Sequence, residues 1–169
     1  MARPTKDEYY LKIALEVAQR GTCLRRVYGA VIINNDKIVS TGYTGAPRGT
    51  PNCIDLGKCY RKEKKIPSGQ HYELCRSVHA EANAIIHAAY EQIKDGKLYI
   101  ACQVIEAEGP RQASAEPCMM CKRMIINAGI KEVVFKDADG NLIRKSVSDW
   151  IKEANENPFA DVEKMFRAS

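Results

Sequence analysis

No stretch of this 169-residue sequence approaches the run of about 20 apolar residues that a membrane-spanning helix requires. The start, Met1-Ala2-Arg3-Pro4-Thr5-Lys6-Asp7-Glu8, carries charges where a secretory signal needs an apolar run. With neither a membrane-spanning helix nor a secretory signal expected, the expected location is the cytoplasm. Compositional extremes are absent as well. A hydrophobic share of 45% and a charged share of 28% are those of an ordinary globular chain. A single domain over 1–169 is expected, long enough to bury about 70% of its unfolded surface without disulfides. The seven cysteines form no even set, and in a reducing compartment they read as metal ligands or buried thiols. Net charge of +5 suits an anionic small molecule and a nucleic acid equally. The basic loop 58–65, however, has no aromatic interleaved among its charges beyond Tyr60, which argues against nucleic acid.

What is present centres on His79-Ala80-Glu81 and Pro117-Cys118-Met119-Met120-Cys121. One imidazole and two thiolates make three protein ligands, and a zinc site with three protein ligands keeps its fourth position for water. A second cysteine pair at short spacing, which a structural zinc ribbon would want, is missing from the neighbourhood. In mid-helix, residues two apart point about 200° away from each other, so His79 and Glu81 share a site only at a helix N-terminus. Cys118 and Cys121 lie three apart on one face of a helical turn, and Pro117 suits a first helical position. The positive end of a helix dipole also favours thiolates. His-x-Glu followed by Pro-Cys-x-x-Cys is the signature of zinc-dependent nucleobase deaminases. Glu81 is the expected general acid and base.

In chain order, the capping box from Thr5 to Glu8 opens a helix over 5–20, closed by Gly21. Residues 28–33 and 37–43 are β-rich and joined by Asn34-Asn35-Asp36, which predicts an antiparallel hairpin. Residues 44–78 show no period and are expected to form a long functional loop. Helix 79–93 and strand 97–104 follow. A polar excursion over 106–115 leads to helix 117–128, ended by Gly129. Strand 132–135, a turn at 137–140, a strand over 142–147 and helices over 148–156 and 158–166 complete a three-layer α/β expectation. The long loop and the turn after the first helix hold Cys23, Cys53, Cys59, His71 and Cys75, four of which could bind a second, structural zinc and so order the loop. The alternative is free thiols and a surface histidine. Cys102 reads as a buried strand thiol.

With Gly42-Tyr43-Thr44-Gly45-Ala46-Pro47-Arg48-Gly49 added to the metal pair, residues 8–136 resemble the deoxycytidylate (dCMP) deaminases of the cytidine deaminase-like zinc superfamily. The resemblance also runs through Thr22-Cys23, Gly29-Ala30-Val31, Arg76, Asn83 and the segment ending at Ile130. It implies an α/β/α fold with a mixed five-stranded sheet, a homo-oligomer, usually a hexamer, and a second zinc that includes Cys23 and Cys53. It also implies activation by dCTP and inhibition by dTTP with Mg²⁺, through a site taking in Gly42, Tyr43 and Gly45; Arg25 and Arg26 are candidates to reach effector phosphates, the alternative being a solvated pair. Ala80 and Pro117 are expected to hold the pyrimidine. Two positions depart from the family pattern. Thr44 stands where an asparagine usually contacts the sugar, and Tyr90 where a basic residue usually meets the 5′-phosphate. Arg48 and Arg76 are candidates for the missing charge. Asn83 and His87 read as structural.

Three functions are therefore weighed. The first is hydrolytic deamination of a pyrimidine deoxynucleotide, dCMP to dUMP. The second is deamination of another amino-bearing base carrier: cytidine, a pterin or riboflavin precursor, or tRNA adenosine. The third is a non-enzymatic zinc scaffold or nucleic-acid-binding module, for which Glu81 has no use.

Overall fold

The apolar residues of the central strands point alternately to two sides, so the sheet they form must be covered on both faces. A computed structural model shows how, describing residues 2–67, 69–160 and 163. The first helix, α1 (Lys6–Ala18), opens with the expected capping box between Thr5 and Glu8. β1 (Arg26–Asn34) and β2 (Lys37–Tyr43) pair as an antiparallel hairpin. Asn35 and Asp36, between them, take φ of 48° and 63°, the left-handed values that a two-residue hairpin loop demands and that Asn and Asp tolerate. Short helices α2 (Cys53–Leu56) and α3 (Tyr60–Glu63) and a 3₁₀ turn at Tyr72–Leu74 punctuate the segment that sequence reads as one loop. Its two ends are tied by a bridge between Gly45 and Val78.

Beyond it lie α4 (Ala80–Ile86), α5 (Tyr90–Ile93), β3 (Lys97–Glu106), β4 (Gly109–Ala113), α6 (Met119–Asn127), β5 (Glu132–Lys136), β6 (Leu142–Ser146) and α7 (Val147–Glu156). The sheet order is β2-β1-β3-β5-β6, with β3 and β5 parallel and the other neighbours antiparallel. β4 pairs with the far end of β3, making six strands instead of five. Sequence reads the β4 segment as a polar excursion because it contains Pro110 and carries no buried apolar residue. Proline is tolerated at such an exposed edge. Here the hairpin is held by ladder bonds and by Arg111 clasping Glu106 at 2.7 Å.

The remaining differences lie at helix ends. The expected helix 79–93 is two pieces, α4 ending at His87 and α5 starting after Ala89, whose N–H donates to Gln92 Oε1 at 3.2 Å. The break brings Ile93 into the core. Helix 117–128 begins at Met119 with Cys118 as its N-cap, so Pro117 precedes the helix and does not occupy its first turn. The 158–166 helix falls largely outside the described residues.

α1 covers one face of the sheet, where Val31, Ile33, Tyr99 and Val134 meet Tyr10, Leu11 and Ala14. On the opposite face Ala30, Ile32, Leu98, Ile100, Val133 and Phe135 meet side chains of α4, α6 and α7. The three layers are helix, mixed sheet, helices. Gly29 lets α1 approach, since a Cβ there would stand 2.0 Å from Ala14 O.

Candidate metal centre and active site

Two helix starts converge on one point. His79 is the N-cap of α4, with extended backbone at φ −69° and ψ 151°. Cys118 is the N-cap of α6, at φ −70° and ψ 167°, and Cys121 lies one turn into that helix. α4 is fixed in depth by Gly42 of β2, where a Cβ would come within 2.3 Å of Ala80 O and Ala84 N. It is fixed in rotation by Ser40 Oγ, which donates to Ala84 O at 2.6 Å, and by Asn83 Nδ2, which donates to Tyr43 O at 2.8 Å. The sheet thereby sets where His79 and Glu81 point.

His79 Nδ1 lies 3.3 Å from Cys121 Sγ and 3.5 Å from Cys118 Sγ. A tetrahedral zinc with Zn–S about 2.3 Å and Zn–N about 2.0–2.1 Å separates nitrogen from sulfur by about 3.6 Å, so the donor set fits that ion closely. Among the described residues this is the one group of three His, Cys, Asp or Glu whose ligand atoms all lie within 4.8 Å of one another. Glu81 is 4% exposed, and burial is the main reason its carboxyl is pushed up from the usual range. The Cys118 thiol is held well below its ordinary range, first by its hydrogen bond with Cys121 and then by the one with His79. A thiolate is ready there to bind metal. The edge of the Tyr72 ring packs against the His79 ring, with centroids 5.0 Å apart.

These groups open into a cavity that Glu81, His79 and Cys118 share with Thr44, Tyr28, Arg25 and Arg26. A pocket lined by a candidate three-ligand metal site and a buried carboxylate is equipped to activate water and move its proton. The family model for the cytidine and deoxycytidylate deaminase zinc-binding region matches residues 4–137.

The chain belongs to that family. The deoxycytidylate deaminase of Mycobacterium phage D29 is 35% identical over 139 residues, covering 80% of this chain and 97% of the phage protein. The human deoxycytidylate deaminase is 35% identical over 131 residues, 76% of this chain and 62% of its own length. The Schizosaccharomyces pombe enzyme is 32% identical over 133 residues, and the chain spans 37% of that longer protein. Among solved structures, the dCMP deaminase of cyanophage S-TIM5 in complex with dCMP and dUMP is similar at TM-score 0.52 and 25% identity, over 79% of this chain and 82% of that one.

In this deaminase-family chain the expected site residues divide. Ala80 and Pro117 are buried beside the ligands. Thr44, 6% exposed, lines the cavity, and its hydroxyl accepts from Tyr28 N at 3.1 Å. Arg25 and Arg26 also face the cavity. Gly42 serves α4 packing, Tyr43 gives its carbonyl to Asn83, and Gly45 is bridged to Val78. Tyr90 and Arg48 lie elsewhere. Tyr90 is exposed under Lys94, and Arg48 Nη2 meets His87 Nε2 at 3.0 Å. Arg76 donates to Pro51 O at 3.0 Å.

Of the five residues considered for a second metal, Cys23, Cys59 and Cys75 line the cavity. The buried Cys53 is raised by desolvation first and then by the proximity of Cys23, Cys59 and Cys75. His71 points away into an ion pair with Glu73 at 2.9 Å. Sequence missed Tyr28, Arg61, Tyr72, Ser77 and Glu116, which complete the wall. Arg61 entered the sequence reading only as one charge of the basic loop 58–65, weighed for nucleic acid.

Proposed function

We propose that the chain catalyses dCMP + H₂O → dUMP + NH₃. The observation that carries the reading is Glu81, buried beside a His-Cys-Cys triad, in a chain whose match spans nearly the whole of a phage deoxycytidylate deaminase. A zinc ion held by His79, Cys118 and Cys121 supplies Lewis-acid activation of the attacking water. Glu81 takes that water's proton and delivers it to ring N3 as oxygen adds to C4. It then takes the remaining proton from the new C4 hydroxyl and passes it to the amino group, so that the C4–N bond breaks, the C4 carbonyl forms and ammonia leaves. Ala80 and Pro117 frame the base, and Thr44 stands beside its sugar. A scaffold role leaves the buried carboxylate without a purpose.

The test is ammonia release from dCMP beside deoxycytidine and CMP, on zinc-loaded protein, with and without dCTP and Mg²⁺. Preference for dCMP supports the reading, and a rise with dCTP extends it to regulation by dCTP and dTTP. No turnover of any of the three overturns it. The same reading carries an assembly of several copies, which sedimentation checks. It also carries a second zinc on Cys23, Cys53, Cys59 and Cys75, a ligand type suited to a structural site, although no three of these sulfurs lie within 4.8 Å of one another in this structure and they would have to close on the ion. Metal analysis would read two zincs per chain, and a single zinc in wild type would remove that part.

A further inference from the structure

Arg61 is 6% exposed, yet it makes no ion pair among the described residues. Its Nη2 donates to Pro67 O at 2.7 Å and Gln70 O at 2.5 Å, its guanidinium carbon lies 4.7 Å from the Tyr72 ring centroid, and its Nε is buried without a hydrogen-bond partner among the described residues. Carbonyl dipoles and a ring face steady a cation, but they bring no opposite charge. Burying a charge is costly unless it is paired. An anion can reach the guanidinium, because Arg61 lines the same cavity as Glu81 and His79. One aromatic ring, Tyr72, separates the guanidinium from the metal-binding histidine.

Ser77 lines that cavity too, and its buried hydroxyl has no hydrogen-bond partner among the described residues. Arg25 and Arg26 add positive charge to the wall. By contrast, none of the three residues that sequence offers for the 5′-phosphate, Tyr90, Arg48 and Arg76, lies on the cavity.

Resting on the proposed activity, we infer that Arg61, assisted by Ser77, receives the 5′-phosphate of the nucleotide and is what separates a monophosphate from its nucleoside. The fixed guanidinium fork suits phosphate oxygens. Tyr72 and the two loop carbonyls hold it at the right depth from the reacting ring.

The experiment compares kcat/KM for dCMP with kcat/KM for deoxycytidine in wild type, Arg61→Gln and Ser77→Ala, with zinc content as a control. The dCMP-to-deoxycytidine ratio should fall about tenfold or more in Arg61→Gln, the worth of a hydrogen bond to a charged group. It should fall by a smaller factor in Ser77→Ala. A merely structural role, holding the loop through Pro67 O and Gln70 O, lowers both substrates alike and leaves the ratio fixed, which overturns the inference. If Arg61→Gln fails to fold, Arg61→Lys and Ser77→Ala are read in the same way. Inorganic phosphate binding by calorimetry keeps the two readings apart. Phosphate bound by wild type and lost in Arg61→Gln, without dCMP turnover, sustains the subsite and sinks the substrate. dCMP turnover with an unchanged ratio does the reverse.

Discussion

Glu81 and Cys118 lie within one site but answer to different physics. Glu81 holds no place in the triad of ligand atoms, so replacing its carboxylate by an amide of the same shape removes the proton carrier and leaves the donors. Glu81→Gln is expected to lower kcat by about 10²- to 10⁴-fold with zinc still bound. Cys118→Ala removes a donor and is expected to lose metal and activity together. Metal analysis beside turnover distinguishes the two, and normal turnover by the Gln variant would refute the assigned role. Both residues were legible in the sequence because their spacing is local: His-x-Glu and Cys-x-x-Cys each describe less than a turn of chain. Arg61 was not. Its meaning depends on burial under Tyr72 and on carbonyls six and nine residues away, and in sequence it is one charge among four neighbours.

Among the elements, α4 and β2 act as a unit. No side chain larger than hydrogen fits at Gly42, because the neighbours it would meet are backbone atoms of α4, Ala80 O and Ala84 N, each 2.3 Å from an added Cβ. Gly42→Ala must therefore displace the helix, at a cost of about 1–3 kcal/mol or more. Denaturant melts should show that loss, and kcat should fall further than the lost folded fraction explains, since α4 carries both His79 and Glu81. An unchanged melt with full activity would show that the helix can slide without cost. The hairpin β1–β2 was readable from its turn residues, while β4 was hidden, because an exposed edge strand with a proline presents no apolar alternation. The α4–α5 break was equally hidden, since no Gly or Pro marks it.

At the scale of the whole molecule, the three layers followed from alternating strand and helix patterns, and the six-strand count did not. The centre of the sheet depends on partners far apart in sequence. Asp7 of α1, 8% exposed, accepts from Tyr99 Oη at 2.7 Å and from Arg144 Nε at 2.6 Å, which binds the first helix to β3 and β6. No short-range signal could announce that tie. The cavity wall is similar in kind: residues 44–78 lack periodicity, so their contribution emerges only when the bridge between Gly45 and Val78 closes them over the site.

That both ligand-bearing helices begin at the metal site has a further result, one of motion. Asn83 N–H bonds to His79 O, and Lys122 N–H to Cys118 O, so the first amide bond of each helix hangs from a residue of the proposed metal triad. Helix ends ordinarily fray, opening at almost no free-energy cost. Zinc should suppress that opening at two places at once, although they lie in different helices. Adding the metal should therefore slow hydrogen–deuterium exchange at Asn83 and Lys122 together, and the slowing should disappear from both amides in Cys118→Ala. Slowing at one amide alone would mean that only one helix end is tethered.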